Sequence, residues 1–218
     1  YSLCDNTLVE KIQSVDPHTN NCVLHGYLQS YLYFNQYYNE ILALTTPDSK
    51  SENYMHTKYN HLFDPQTINI SVHMRLNWCG TLTYERSYKY FHDAIAYIIE
   101  NHVIDQTKNI VINVFADNID EVSTSFRSEK YETIFYENNP DYIDMWCMSL
   151  CNHNVLSHST LSWWGAYLNQ NHDKCVIYSN DLLRLCHATL YETPQWLNRK
   201  TEHYLPNWVG IDTKALID

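Results

Sequence analysis

Glycine is scarce in this chain of 218 residues, which contains only 4. Glycine makes up about 7% of an average protein, and neither G-x-G-x-x-G nor the Walker pattern occurs here. The sequence therefore excludes the glycine-rich loops that cradle phosphates in many nucleotide-binding proteins. Any phosphate bound by this chain must be held by a few local cations and by backbone N–H groups.

Positively charged residues are also few. Fourteen Lys and Arg residues face 25 Asp and Glu residues, which gives a formal net charge of −11. Because duplex nucleic acids bind broad basic surfaces, this balance argues against nucleic acid as a partner. No apolar run approaches the ~18 residues of a membrane-spanning helix, so we expect no span in this chain.

The cysteines lack the C-x-x-C pattern, and their number, seven, is odd. Cys147 and Cys151 have a spacing that places both side chains on one helix face. We predict that all seven cysteines are reduced, small hydrophobic residues in a cytosol-like, cytoplasmic compartment. The histidines match no metal-ligand spacing, so we expect no metal site. We also expect no cofactor. The chain begins without Met or a signal-like segment, which is typical of a fragment.

Hydrophobic periodicity predicts an alternation of strands and helices. A helix is predicted over residues 24–44, and a polar linker or surface excursion follows over residues 45–61. The elements predicted beyond Pro65 are strand 68–74, helix 88–102, strands 109–116 and 132–136, helix 142–151, strand 154–156, helix 161–169, strand 174–178 and an irregular tail. This rhythm is typical of a parallel sheet with crossover helices.

Ligands of such sheets bind beyond the carboxyl ends of the strands. His73 and Arg75 lie at the end of the first strand on the same side, where an Arg fork suits a diphosphate. The alternative for Arg75 is a structural salt bridge. A carboxylate at Asp117, after the strongest strand, can accept from a ribose hydroxyl or a guanine N–H. The alternative for Asp117 and Asn118 is an Asx turn or a helix cap.

The segment SHST, residues 157–160, contains the start signal of a helix. Ser159 or Thr160 is a natural N-cap, and the N–H groups of the following first turn form an anion site without a glycine loop. The alternative is a simple capped helix with Trp163 and Trp164 in the core. The motif G-x-S-x-G is absent, which excludes a nucleophile elbow.

Together these segments resemble the α-1,2-fucosyltransferases of glycosyltransferase family eleven. The longest match is DYIDMWCMSLCNHNVLSHSTLSWWGAYLN (residues 141–169), which is similar to the family's run of Met-Ser-Leu-Cys, a strand and Asn-Ser-Thr-Phe-Ser-Trp-Trp-Gly-Ala-Trp-Leu. VHMR is similar to the His-x-Arg-Arg motif and VFADN to Phe-Ser-Asp-Asp. HGYLQSYLYF is similar to Gly-Tyr-Phe-Gln-Ser, and LPNWVGI to the C-terminal Pro-x-Trp.

The resemblance implies an α/β fold of the GT-B type with two Rossmann-like lobes. Residues 1–65 would form part of the N-terminal, acceptor-side lobe and a linker, and residues 66–218 the donor lobe. The implied reaction transfers fucose from GDP-fucose to the 2-hydroxyl of a terminal galactoside, with inversion and without a metal. Its partners are a nucleotide sugar and a glycan acceptor. Eukaryotic relatives work in the Golgi lumen, which is the alternative to a cytoplasmic location.

The resemblance also implies roles for single residues. Arg75 and His73 are the expected catalytic residues, with Arg75 on the diphosphate and His73 beside it. His73 and His158 are the candidates for the base. The implied donor-binding residues are Arg75, Asp117, Asn118, His158, Ser159 and Thr160.

Several positions depart from the family pattern. Leu76 replaces its second Arg, Trp78 replaces an acidic residue, and Ser157-His158 replaces Ala-Asn. The N-terminal Gly-Asn-Gln segment of the family is absent. Two alternatives therefore remain open: a non-catalytic protein that binds nucleotide sugars or carbohydrates, and a transferase that uses another nucleotide sugar.

Overall fold

Six strands pair side by side in one parallel sheet within the described part of the chain. The computed structural model describes residues 14, 30–75, 84–105, 107–180 and 202–211. In chain order, the strands are β1 Thr67–Met74, β2 Asn109–Ala116, β3 Glu132–Phe135, β4 His153–Val155, β5 Val176–Ser179 and β6 Val209–Ile211. Their order across the sheet is β3-β2-β1-β4-β5-β6, and each neighbouring pair is parallel. The expected α/β class with a Rossmann-like parallel sheet is confirmed.

Helices connect the strands from β1 to β5. The α-helices are α1 Tyr38–Thr45, α2 Ser49–Lys58, α3 Tyr84–His102, α4 Ile119–Ser125, α5 Asp141–Leu150 and α6 Thr160–Leu168. Short 3-10 helices span Tyr31–Tyr33, Asn35–Tyr37 and Asn60–Phe63. None of the helices among the described residues has the length and apolar character needed to cross a membrane.

The chain divides into two compact units. The first comprises Tyr1–Thr46 and Thr189–Asn207, and its described part contains α1. There the Ser30 hydroxyl donates to the Glu202 carbonyl at 2.9 Å. The second unit comprises Pro47–Ala188 and Trp208–Asp218 and contains the whole sheet.

The stretch over residues 45–61, for which the sequence predicted a linker or a surface excursion, is largely exposed and contains helix α2. The Asp48 carboxylate caps α2 by accepting from the Ser51 N–H at 2.7 Å. Met55 and Tyr59 are buried, which anchors an otherwise polar helix. The long helix predicted over residues 24–44 needs correction: α1 begins only at Tyr38, after two 3-10 turns, and residues 24–29 lie outside the described residues.

Strand β1 has two different buried faces. The apolar face packs with α3 and with residues of α4 in the main hydrophobic core. The opposite face is polar, and its side chains find partners on neighbouring elements: Asn113 donates to Asn69 at 3.0 Å, and Asn154 donates to Ser71 at 2.7 Å. Alternation along β1 produces the two sets, apolar Ile70, Val72 and Met74 and polar Asn69, Ser71 and His73.

Helices α5 and α6 come close together at Gly165. A Cβ atom at this position would lie 2.8 Å from Met148 Cβ and 3.3 Å from the Met145 carbonyl oxygen. Contacts this short leave no room for a side chain, so the helices must move apart to admit one.

We therefore expect Gly165→Ala to destabilise the chain by about 1–3 kcal/mol, the usual cost of overpacking. Urea unfolding measures the change, with Glu100→Ala on the exposed face of α3 as the control. A Gly165→Ala variant as stable as that control would contradict the close packing of α5 and α6.

Candidate functional site

The order of the strands reverses between β1 and β4. From β1 the chain continues outward through β2 and β3, then returns to place β4 on the other side of β1. In doubly wound sheets, ligands bind in the crevice beyond the carboxyl ends of the two strands at such a switch point. Here those ends are Met74 of β1 and Val155 of β4.

A hydrogen bond joins the two strand ends at this point. His73, next to last in β1, has its Nδ1 atom 2.6 Å from the hydroxyl oxygen of Ser157, just beyond β4. Both side chains are buried, at 6% exposure each. The contact fixes the imidazole between two strands that pair directly with each other.

Burial lowers the pKa of His73 to about 4, and the nearby positive charge of Arg75 adds to the shift. The imidazole is therefore neutral at pH 7. Arg75 itself is exposed immediately after β1. Within the described residues it has no acidic partner at ion-pair distance, so the salt-bridge alternative finds no support there.

Asp117 directly follows β2, as Arg75 directly follows β1. Met74 and Ala116 are partners in the β1–β2 register, so Arg75 and Asp117 are the next residues along the two adjacent strands. Asp117 is exposed, whereas the amide of Asn118 forms the N-cap of α4. That amide accepts from the Glu121 N–H at 3.3 Å and donates to the Glu121 carboxylate at 2.9 Å.

Helix α6 begins with the N-cap predicted from the sequence. The Ser159 hydroxyl accepts from the Leu161 N–H at 3.3 Å, and Thr160 is the first, exposed residue of the helix. His158 is partly exposed beside the cap. Trp163 is buried, as the core alternative expected, and Trp164 is partly buried. A helix start of this kind and an exposed guanidinium are both features that attract anions.

Comparison with known proteins identifies the family. The model of the family described as glycosyl transferase family 11 matches residues 11–212. The chain belongs to glycosyltransferase family 11.

Two curated relatives from Escherichia coli match part of the chain. The O-antigen biosynthesis glycosyltransferase WbnK is 36% identical over 90 residues, which are 40% of this chain and 28% of that protein. An alpha-1,2-colitosyltransferase is 33% identical over 88 residues, 39% of this chain and 28% of that protein. The matched part of the chain thus spans 28% of the length of each relative.

Two crystal structures of the fucosyltransferase NodZ are similar to parts of the chain. The structure from Bradyrhizobium is 16% identical, covers 54% of this chain and 41% of its own, and has a TM-score of 0.37. The NodZ alpha-1,6-fucosyltransferase soaked with GDP-fucose is 15% identical, covers 75% of this chain and 56% of its own, and has a TM-score of 0.44.

The partner of His73 in this family 11 chain is not apparent from the sequence. Ser157 stands out only as a departure from the family pattern, and its role depends on β1 pairing with β4, which a single sequence does not reveal. Leu76 and Trp78, two further departures, lie outside the described residues.

His153 is a core residue of the family 11 chain. Its Nδ1 atom accepts from the Cys175 N–H at 3.0 Å, and burial, followed by the nearby charge of His102, lowers its pKa to about 4. Among the described residues, no three His, Cys, Asp or Glu side chains are close enough to hold a metal ion.

The lowered pKa of His73 predicts that acid destabilises the folded chain. As the pH falls from 6.5 to about 4, the unfolded chain takes up a proton at this imidazole that the folded chain does not. The free energy of unfolding therefore decreases through that window and is fully retained above it. Because one pKa unit corresponds to about 1.4 kcal/mol, we expect His73→Gln to remove about 3 kcal/mol of this pH dependence.

Urea unfolding at a series of pH values measures this effect. The control is His56→Gln, a substitution at an exposed position of α2. An unchanged pH dependence in His73→Gln would show that the imidazole is not held neutral by burial.

Proposed function

We propose that the protein transfers fucose from GDP-fucose to the 2-hydroxyl of a terminal galactoside, with inversion and without a metal. Membership of glycosyltransferase family 11 supports a glycosyl transfer. The observation that supports the specific reaction is the arrangement at the switch point. There His73 is buried and hydrogen-bonded to Ser157, and Arg75, two residues later, is exposed. The alpha-1,2 linkage in the name of one relative agrees with a 2-hydroxyl acceptor.

In the proposed reaction the acceptor oxygen attacks C1 of fucose as the bond from C1 to the diphosphate oxygen breaks. GDP departs, and the configuration at C1 inverts. The acceptor hydroxyl loses its proton to a base, for which His158 beside the α6 cap is a candidate. Arg75 and the first-turn N–H groups of α6, after the Ser159 cap, would stabilise the charge that develops on the diphosphate. Asp117 would bind the nucleoside.

The cysteines support a proposed cytoplasmic location. Cys147, Cys151 and Cys175 are buried and unpaired among the described residues. Burial raises the pKa of all three thiols, to about 11 at Cys175, so they stay protonated and unreactive. Inert reduced thiols are typical of the cytosol, where a nucleotide sugar and a glycan acceptor would be the partners.

Arg75 provides the first test of the proposal. Because a hydrogen bond to a charged group contributes about 1.5–3 kcal/mol, we expect Arg75→Ala to weaken GDP binding at least about tenfold and to abolish measurable transfer. Titration calorimetry with GDP and GDP-fucose measures binding. The control is Arg127→Ala, an exposed Arg whose Nε–H donates to the Ser123 carbonyl and whose guanidinium lies over the Phe135 ring of the edge strand β3. If Arg75→Ala bound GDP as tightly as the wild-type chain, Arg75 would not be a ligand of the diphosphate.

A colitose donor is the second candidate, because one relative is named as a colitosyltransferase. Colitose differs from fucose by the loss of the 3-hydroxyl, so the two nucleotide sugars separate donor specificity cleanly. We expect faster transfer from GDP-fucose than from GDP-colitose in a panel with one galactoside acceptor. Faster transfer from GDP-colitose would show that GDP-colitose, not GDP-fucose, is the donor. GDP binding without any transfer would favour the non-catalytic alternative.

A further inference from the structure

We propose that Ser157 positions His73 as the tautomer that carries its proton on Nε2, so that His73 is a hydrogen-bond donor to the bound diphosphate and not the base of the reaction. The tautomer follows from the hydrogen bond between the two side chains and from their burial. The role toward the diphosphate rests on the proposed function.

The hydroxyl hydrogen of Ser157 decides the tautomer. Ser157 is buried, and within the described residues its hydroxyl has one hydrogen-bond partner, His73 Nδ1 at 2.6 Å. If Nδ1 carried the proton and donated it, the Ser157 hydrogen would be buried without an acceptor. Buried donors without acceptors are strongly disfavoured. Ser157 therefore donates to an unprotonated Nδ1.

A neutral imidazole has one proton, which must then lie on Nε2. Burial keeps the ring neutral, as its lowered pKa shows. Among the described residues Nε2 has no hydrogen-bond partner, and it is not one of the fully buried polar atoms, so its N–H is accessible and available to a ligand. A nitrogen that already bears a proton cannot accept one from the acceptor hydroxyl, so the expectation of His73 as a base is not supported.

This arrangement suits a site with one guanidinium fewer than the family pattern. Leu76 replaces the second Arg of the His-x-Arg-Arg motif, and a neutral N–H supplies a donor without adding a second positive charge beside Arg75. Ser157 also joins the start of α6, since its carbonyl accepts from the Ser162 hydroxyl at 3.5 Å.

The tautomer is measured directly by long-range ¹H–¹⁵N correlation on the chain labelled with ¹⁵N-histidine at pH 7.5. The signals of His73 are those lost in His73→Gln. We expect a protonated Nε2 and an unprotonated Nδ1 whose signal is shifted by an accepted hydrogen bond. In Ser157→Ala that Nδ1 signal moves toward the value of a nitrogen without a hydrogen bond.

The matched control is Ser149→Ala, a serine of equal burial whose hydroxyl donates to the Trp146 carbonyl within α5. This control leaves the His73 signals in place. A protonated Nδ1 in the wild-type chain would overturn the proposal, and so would an unmoved Nδ1 signal in Ser157→Ala.

Two variants at His73 distinguish a hydrogen-bond donor to the diphosphate from a general base. The Gln side chain keeps an N–H donor near the position of Nε2 but has no basic nitrogen, whereas Leu has neither. We expect His73→Gln to bind GDP about tenfold or more tightly than His73→Leu, because only Gln keeps a hydrogen bond to the charged diphosphate. Equal affinities in the two folded variants would overturn the donor role. If the wild-type chain binds no GDP, the proposed function fails, and the tautomer is still decided by the nitrogen signals.

Discussion

The polar face of β1 is the constraint on which the fold and the site both depend. Buried polar side chains require hydrogen-bond partners, and those of β1 lie on different neighbours, with Asn113 on β2, Asn154 on β4 and Ser157 just beyond β4. A slip of one residue would turn this polar set into the apolar core beneath α3. The observed register satisfies both faces and also places His73 at the switch point.

The sequence alone predicted the strands that have strong hydrophobic patterns. The run NIVINVFA predicted β2 to the residue, and β1 begins within one residue of its predicted start. Helix α2 was missed because a polar helix with Met55 as its buried residue has almost no apolar periodicity. Strand β6 was missed because three partly buried residues that include Gly210 do not resemble a strand.

The site was predictable only in part, because its contacts join distant parts of the chain. The end of β1 and the start of α6 were expected near the ligand from general rules for parallel sheets. The bond between His73 and Ser157 spans 84 positions and depends on β1 and β4 being neighbours. The alternation of Asn69, Ser71 and His73 was the one local signal that this strand is polar on a buried face. Asn118 had two open interpretations, and the structure shows that its amide caps α4.

The scarcity of glycine explains why side chains, and not a glycine-rich loop, supply the anion-attracting groups at the switch point. Without a glycine-rich loop, anion-attracting groups must come from an N-cap such as Ser159 and from single polar residues at strand ends. Burial has a second effect on such a site, because it moves the titration of His73 well below neutral pH. The hydrogen-bonding pattern of the imidazole therefore stays the same from mildly acidic to alkaline conditions. A site of this kind depends on the protonation of its ligand and its base, not on that of the buried histidine.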